Sequence, residues 1–230
     1  MDVTSAMIEF AGGSRGRNSV AFISRPIKSG KYPSVLVIQG IWGLVDHLKG
    51  VTARLAREGY VAVAPDLFDG KVVSGLEEGR RIRSEFAEEK FLGDLKGALK
   101  YLRGLNHVEP SKIGSVGFCL GGYLSILLAC HEKISACVVF YGDNPVPINI
   151  VRNLSCPLLG LYGGKDPRIP ESDIKVLKGA LIKYRKNFDI RVYPEAAHAF
   201  FDESRPNYRA EDATDAWNRT LAFFSKYLKV

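Results

Sequence analysis

A chain of 230 residues, 46% hydrophobic and 25% charged, is long enough to bury the core of one α/β domain and has the composition of an ordinary globular protein. Its net charge of +7 arises from 32 basic and 25 acidic residues that interleave, a solvated mixed surface that argues against a nucleic-acid partner. No apolar run approaches the roughly 18 residues of a membrane span, and the opening Met1-Asp-Val-Thr-Ser5 lacks a signal-peptide layout, so a cytoplasmic location is expected.

Along the chain, Met7 to Phe10 and Ser19 to Ser24 alternate like two strands joined near Gly12-Gly13-Ser14, and are expected to form an antiparallel edge. Val35 to Ile38 is a continuous apolar run suited to a strand covered on both faces. Leu44 to Glu58 has helical spacing and stops at Gly59, and Tyr60 to Ala64 reads as another buried strand. From Leu67 to Glu89 charge becomes dense, the mark of a surface excursion with one exposed helix that could form part of an active-site rim. Phe91 to Leu105 is helical, and Ile113 to Val116 is a strand followed by a helix over Tyr123 to Cys130. Strands at Ile134 to Tyr141, Pro157 to Tyr162 and Phe188 to Tyr193 then alternate with helices at Asp173 to Lys186 and Ala210 to Tyr227. Strands and helices in alternation predict the α/β class, a mostly parallel twisted sheet with helices on both faces, formed by one domain over residues 1–230.

The chemistry concentrates where strand, tight turn and helix meet, at Gly117-Phe118-Cys119-Leu120-Gly121-Gly122. This is the G-x-S-x-G nucleophile elbow of an α/β-hydrolase fold with Cys in place of Ser, and the small residues are needed because the chain crowds itself around a strained apex. In parallel sheets ligands bind beyond the carboxyl ends of the strands. Asp166, in Gly163-Gly-Lys-Asp-Pro167, and His198, in Tyr193-Pro-Glu-Ala-Ala-His198, both follow strands. The order nucleophile, acid, histidine is that of α/β hydrolases, so Cys119, Asp166 and His198 are the expected triad, with Glu195 and Asp173 weaker candidates for the acid. Free thiol is mostly protonated at neutral pH; a histidine within reach can take its proton, and an aspartate on the other ring nitrogen fixes the tautomer. The Leu120 amide, at the start of the following helix, is the expected oxyanion donor, and the Ile41 amide the second. Trp42, Tyr123 and Phe200 are candidate substrate-pocket residues.

Beyond the elbow, Gln39-Gly-Ile-Trp-Gly43, Gly59-Tyr-Val-Ala-Val-Ala-Pro-Asp-Leu67, Gly163-Gly-Lys-Asp-Pro167, Ala197-His-Ala-Phe-Phe201, Arg205-Pro-Asn-Tyr208 and Ala216-Trp217 together resemble the dienelactone hydrolases, also called carboxymethylenebutenolidases. The likeness runs from about Tyr32 to Leu228. It implies a Cys-Asp-His hydrolase that opens an unsaturated cyclic ester bearing a carboxylate, with nucleophile, acid and base at Cys119, Asp166 and His198. Two positions depart from the family pattern. Gly40 stands where the family has a glutamate that takes part in activating the thiol, which leaves direct proton transfer between Cys119 and His198 as the simpler route. Asp202 stands where the family has an arginine that helps hold the substrate carboxylate; Arg205, or Arg81 in the cluster Arg80, Arg81 and Arg83, is the candidate replacement.

The expected partner is therefore a small ester or lactone, with an anionic group as a candidate feature, and no metal or cofactor is required. A broader carboxylesterase or thioesterase is the alternative within the same class. A non-catalytic ligand-binding protein on the same fold is the alternative outside it. Redox sensing by Cys119 would need a resolving thiol such as Cys130, and the four cysteines, Cys119, Cys130, Cys137 and Cys156, show neither a C-x-x-C pair nor metal-ligand spacing. In a cytoplasmic setting all four are read as reduced thiols, three of them core residues.

Overall fold

A computed structural model describes residues 1–11 and 18–229. The expected turn at Gly12-Gly13-Ser14 lies outside the described residues. The strand order is β1-β2-β4-β3-β5-β6-β7-β8 in an eight-stranded sheet, and the chain divides into two compact units, Met1–Ser115 and Val116–Val230.

The first unit holds β1 (Val3–Phe10), β2 (Ser19–Pro26), β3 (Tyr32–Ile38), α1 (Asp46–Arg57), β4 (Val61–Pro65), α2 (Leu76–Glu85) and α3 (Glu88–Gly104). β1 and β2 pair antiparallel over their full length, from Val3 opposite Pro26 to Phe10 opposite Ser19, which is the expected antiparallel edge. β3 and β4 pair parallel and are buried at nearly every position, so both of their faces are covered. α1 buries Leu48, Val51, Thr52, Leu55 and Ala56, the helical spacing visible in the sequence, and ends before Gly59, whose φ of +86° suits glycine. α3 starts earlier than apolar spacing suggests. Glu88 and Glu89 occupy its first turn, where acidic side chains favour the helix N-terminus without contributing to an apolar pattern. The charged 67–89 stretch contains α2 and is not merely a surface excursion: Gly79 and Ile82 are buried, and Gly79 lies close against Ile41.

β5 (Val108–Phe118) runs across the division between the units. The second unit continues with α4 (Leu120–His131), β6 (Ala136–Phe140), a 3-10 helix at Ile148–Asn153 that carries no sequence signal of its own, β7 (Leu158–Gly163), α5 (Glu171–Lys183), β8 (Phe188–Tyr193) and α6 (Ala210–Leu228). β6, β7 and β8 pair parallel in that order. α4 is buried at nearly all of its positions, as expected for a helix that is apolar all round. α6 buries one stripe, Ala213, Ala216, Thr220, Phe224 and Leu228, flanked by half-buried residues such as Trp217, which packs on Phe201.

Candidate active site

The elbow forms as its glycines require. Cys119 caps α4 with φ 55° and ψ −117°, a conformation that costs an L-residue energy and recurs at functional positions. What holds it is crowding. A Cβ on Gly117 would meet the Gly121 carbonyl oxygen at 1.8 Å, and one on Gly142 would meet the Gly122 carbonyl carbon at 2.6 Å. Backbone bonds complete the clamp: Cys119 N–H donates to Phe140 O at 3.0 Å, while Cys119 O accepts from Gly122 at 2.9 Å and from Tyr123 at 3.3 Å.

Asp166 and His198 arrive from the loops after β7 and β8, and those loops are stitched together. Gly164 N–H donates to Tyr193 O at 2.7 Å, and Lys165 N–H to Ala196 O at 2.9 Å. Gly163 and Gly164 let the strands' exits pass close, since a Cβ on either would fall within 2.7 Å of the facing backbone. The two carboxylate oxygens of Asp166 do different work. Oδ1 accepts the Arg168 amide at 2.8 Å and the Ile169 amide at 3.3 Å, so the turn-capping role common for an Asp-Pro is fulfilled. Oδ2 lies 2.7 Å from His198 Nδ1, so the same residue also orients the imidazole. Tyr141, itself at φ 40°, packs edge-on to the His198 ring with centroids 5.0 Å apart.

The electrostatics pair the thiol with the ring. Burial pushes the Cys119 thiol up, but the His198 imidazole, assisted by the Arg168 guanidinium and the Leu120 amide, outweighs it, and the thiol stands below its ordinary value. Burial alone would lower His198; Asp166 and Cys119 together raise it to about 9. Nε2 of His198 is enclosed and closes no well-formed hydrogen bond, yet the thiol is near enough to act on the ring, a loose geometry common before substrate binds. The other cysteines behave as core residues: burial pushes Cys130 up to about 12 and raises Cys156 further. None of the four cysteines forms a disulfide.

The remaining expected site residues fall into distinct settings. The Leu120 amide opens α4, where no intrahelical acceptor exists for it, and faces the sulfur. Tyr123 is half-buried on the first turn of α4. Phe200 does not line a pocket: it is 0% exposed and packs among Phe140, Tyr141 and Tyr193, a buried aromatic whose neighbours the sequence could not name. Arg205 lies 3.4 Å from Asp202, which also accepts the Ser204 amide and hydroxyl, so the residue that departs from the family pattern and its candidate replacement face each other in one turn. Within the first unit, Ile41 is buried against Gly79, Trp42 is half-buried, and Arg81 is exposed and ion-paired with Glu85 at 2.6 Å. Glu195 pairs with Lys165 at the surface and Asp173 lies half-buried in the first turn of α5, so neither competes with Asp166 for His198. A cavity of about 490 Å³ in the first unit, lined by Asp66, Asp69, Phe86, Lys90 and Asp94 among others, holds none of the three candidate catalytic residues.

Two residues escaped sequence reasoning. Arg168 follows Asp166 by one proline, and its charge reaches the Cys119 sulfur while its guanidinium is 3.6 Å from Asp143. Tyr141 follows β6 at the carboxyl edge of the sheet, where ligands bind; that position was the available signal. Among the described residues no group of three His, Cys, Asp or Glu side chains could hold a metal ion, and no helix is long and apolar enough to cross a membrane.

Comparison with known proteins fits this geometry. The model of the dienelactone hydrolase family matches residues 20–228. A protein of Synechocystis sp. provisionally named carboxymethylenebutenolidase is 34% identical, over 90% of this chain and 92% of its own. A relative of the same provisional name from Methylorubrum extorquens is 37% identical, over 90% of this chain and 76% of its own. The crystal structure of a provisionally named dienelactone hydrolase from Klebsiella pneumoniae superposes with a TM-score of 0.89 at 31% identity, covering 97% of this chain and all of the other, and shares the α/β-hydrolase fold.

Proposed function

This chain belongs to the dienelactone hydrolase family and is a hydrolase, and from that premise we propose that, as one domain over residues 1–230 in a cytoplasmic setting, it cleaves a small lactone or carboxylic ester through a thioacyl-enzyme at Cys119. The observation that carries the reading is the 2.7 Å contact between Asp166 and His198, with the ring in turn lowering the pKa of a thiol held at the apex of the elbow.

In the proposed mechanism the imidazole of His198 takes the thiol proton, leaving thiolate and imidazolium. The sulfur attacks the ester carbonyl carbon, a C–S bond forms, and the carbonyl electrons move to the oxygen. The Leu120 amide donates to that oxyanion, assisted by the positive end of α4, and the Ile41 amide is the proposed second donor. Collapse of the tetrahedral species breaks the C–O bond, and Nε2 of the imidazolium gives its proton to the leaving alkoxide. In a lactone that alcohol stays tethered to the acyl group. The now neutral imidazole takes a proton from water, whose oxygen attacks the thioester; the C–S bond breaks, and thiolate and imidazolium are restored. Asp166 stays ionised throughout and holds Nδ1–H. With Gly40 where the family has a glutamate, the imidazole alone serves as the partner of the thiol.

The charge of Arg168, which reaches the sulfur, supports a substrate bearing a carboxylate. Hydrolysis of a p-nitrophenyl ester and of a carboxylate-bearing lactone, compared in wild type, C119A and H198A, tests the proposal. Turnover abolished by either substitution is expected. Wild-type protein that binds but does not turn over any ester would favour the ligand-binding alternative, and activity surviving in C119A would remove the thioacyl-enzyme.

A further inference from the structure

β8 ends the strand order, and among the described residues it pairs with β7 alone. Two backbone bonds and the register fix which way its peptide groups point. Leu158 donates to Asn187 O, Gly164 donates to Tyr193 O, and the register runs from Leu158 opposite Phe188 to Gly163 opposite Tyr193. Residues 187, 189, 191 and 193 therefore bond inward to β7, and Phe188, Ile190 and Val192 turn their N–H and C=O groups to the free edge. Such an edge is a template for another strand unless it is blunted. No proline or bulge interrupts β8, and Pro194 lies beyond it.

The side chains of this strand have an inversion pattern. Phe188, Asp189, Ile190, Arg191 and Val192 read apolar, acid, apolar, base, apolar, with Asp189 and Arg191 exposed on one face and the three apolar residues half-buried on the other. A second copy laid antiparallel about Ile190 would set Asp189 opposite Arg191 twice, Phe188 opposite Val192 twice, and Ile190 opposite itself. The central Ile190 pair would be a hydrogen-bonded pair, and the two flanking acid–base pairs would be the closer, non-hydrogen-bonded kind, in which side-chain interaction is strongest. The opposite edge strand, β1, has no such symmetry, since Glu9 is its one charged residue.

We propose that β8 is a homodimer interface at which two copies of this chain pair their edge strands antiparallel about a twofold axis at Ile190, with Asp189 of each copy against Arg191 of the other. The interface is isologous, so it closes on itself and does not propagate into a fibre. Within one chain the charges facing these two residues come from α6: Arg219 lies near Asp189 and Asp215 near Arg191, and the Arg191 guanidinium also sits 5.6 Å from the Tyr193 ring centroid. β8 leads directly into the loop that carries His198, and its last residue, Tyr193, donates to Asp215 at 2.8 Å and packs on Phe200 at 5.0 Å. Pairing at the edge would therefore steady the strand from which that loop departs.

Sedimentation velocity and light scattering of the full-length protein at tens of micromolar are expected to report a dimer. D189R and R191D each place like charges opposite one another at both symmetric positions, and each weakens self-association by about tenfold or more; the D189R/R191D double variant inverts both partners and restores it. Circular dichroism separates loss of the dimer from loss of the fold. Register has its own test. Paired Ile190 Cα atoms would lie about 5.5 Å apart, within disulfide reach, so I190C forms a covalent dimer under mild oxidation, whereas V192C, which faces position 188, does not. A wild-type monomer at these concentrations, a dimer indifferent to either charge reversal, a hetero-partner that binds this edge in place of a second copy, or I190C that fails to crosslink would overturn the proposal.

Discussion

His198 is held by Asp166 on one side and acts on Cys119 on the other, so its titration belongs to a pair rather than to one group. Its value is raised to about 9, from about 6.5 in an unfolded chain. The stabilising share of the imidazolium is therefore complete below the unfolded value and is lost as pH rises through about 9. The thiol is displaced downward, so the share contributed by the thiolate has the opposite sense and is lost as pH falls through its lowered value. In the proposed mechanism, acylation needs thiolate and imidazolium together. Accordingly, kcat/KM for a p-nitrophenyl ester should fall as pH rises through about 9, and iodoacetamide should alkylate Cys119 at a lower pH than an ordinary thiol. D166N keeps the size of the side chain but no longer holds Nδ1–H as an ionised acceptor; kcat should drop by about 10²–10⁴-fold, read in the same ester assay with the fold checked by circular dichroism.

Elements, not single side chains, place these groups. The β5–α4 elbow exists because glycines permit an approach no Cβ allows, so Gly117→Ala, with its 1.8 Å clash against Gly121 O, should cost more than the ~3 kcal/mol of an ordinary substitution, measured by urea unfolding. In the first unit, α3 is anchored by Lys90, which donates to Leu67 O at 2.8 Å, contacts Asp69 at 2.8 Å and Asp94 at 2.9 Å, and lies 4.5 Å from the Phe86 ring centroid. Asp94 is 3% exposed, so Asp94→Ala leaves a largely buried ammonium short of one counter-charge and should destabilise by about 3 kcal/mol in the same measurement. That anchor ties Leu67 and Asp69, at the start of the charged stretch, to the α3 helix that follows it.

Over the whole molecule the formal charge is +7, and a field of that sign favours approach of an anionic substrate and is screened by salt. If the substrate carries a carboxylate, kcat/KM for the anionic lactone should fall between low salt and about 0.15 M, while that for a neutral p-nitrophenyl ester stays nearly constant; stopped-flow or steady-state assays at several ionic strengths decide it.

Local information was enough for much of this. Alternation of strand and helix patterns, the run of small residues around Cys119, and the order of cysteine, aspartate and histidine are properties of neighbours in the chain, and they pointed to the fold class and to three residues that the structure brings into one site. Depth and partnership are properties of residues far apart in the chain, which no local pattern encodes. Only packing could reveal that Phe200 is sealed inside an aromatic cluster, that α2 buries Gly79 against Ile41, and that the charge of Arg168 reaches the sulfur. The free edge of β8 belongs to the same category, because a strand's position in a sheet is set by which strands pair and not by its own sequence.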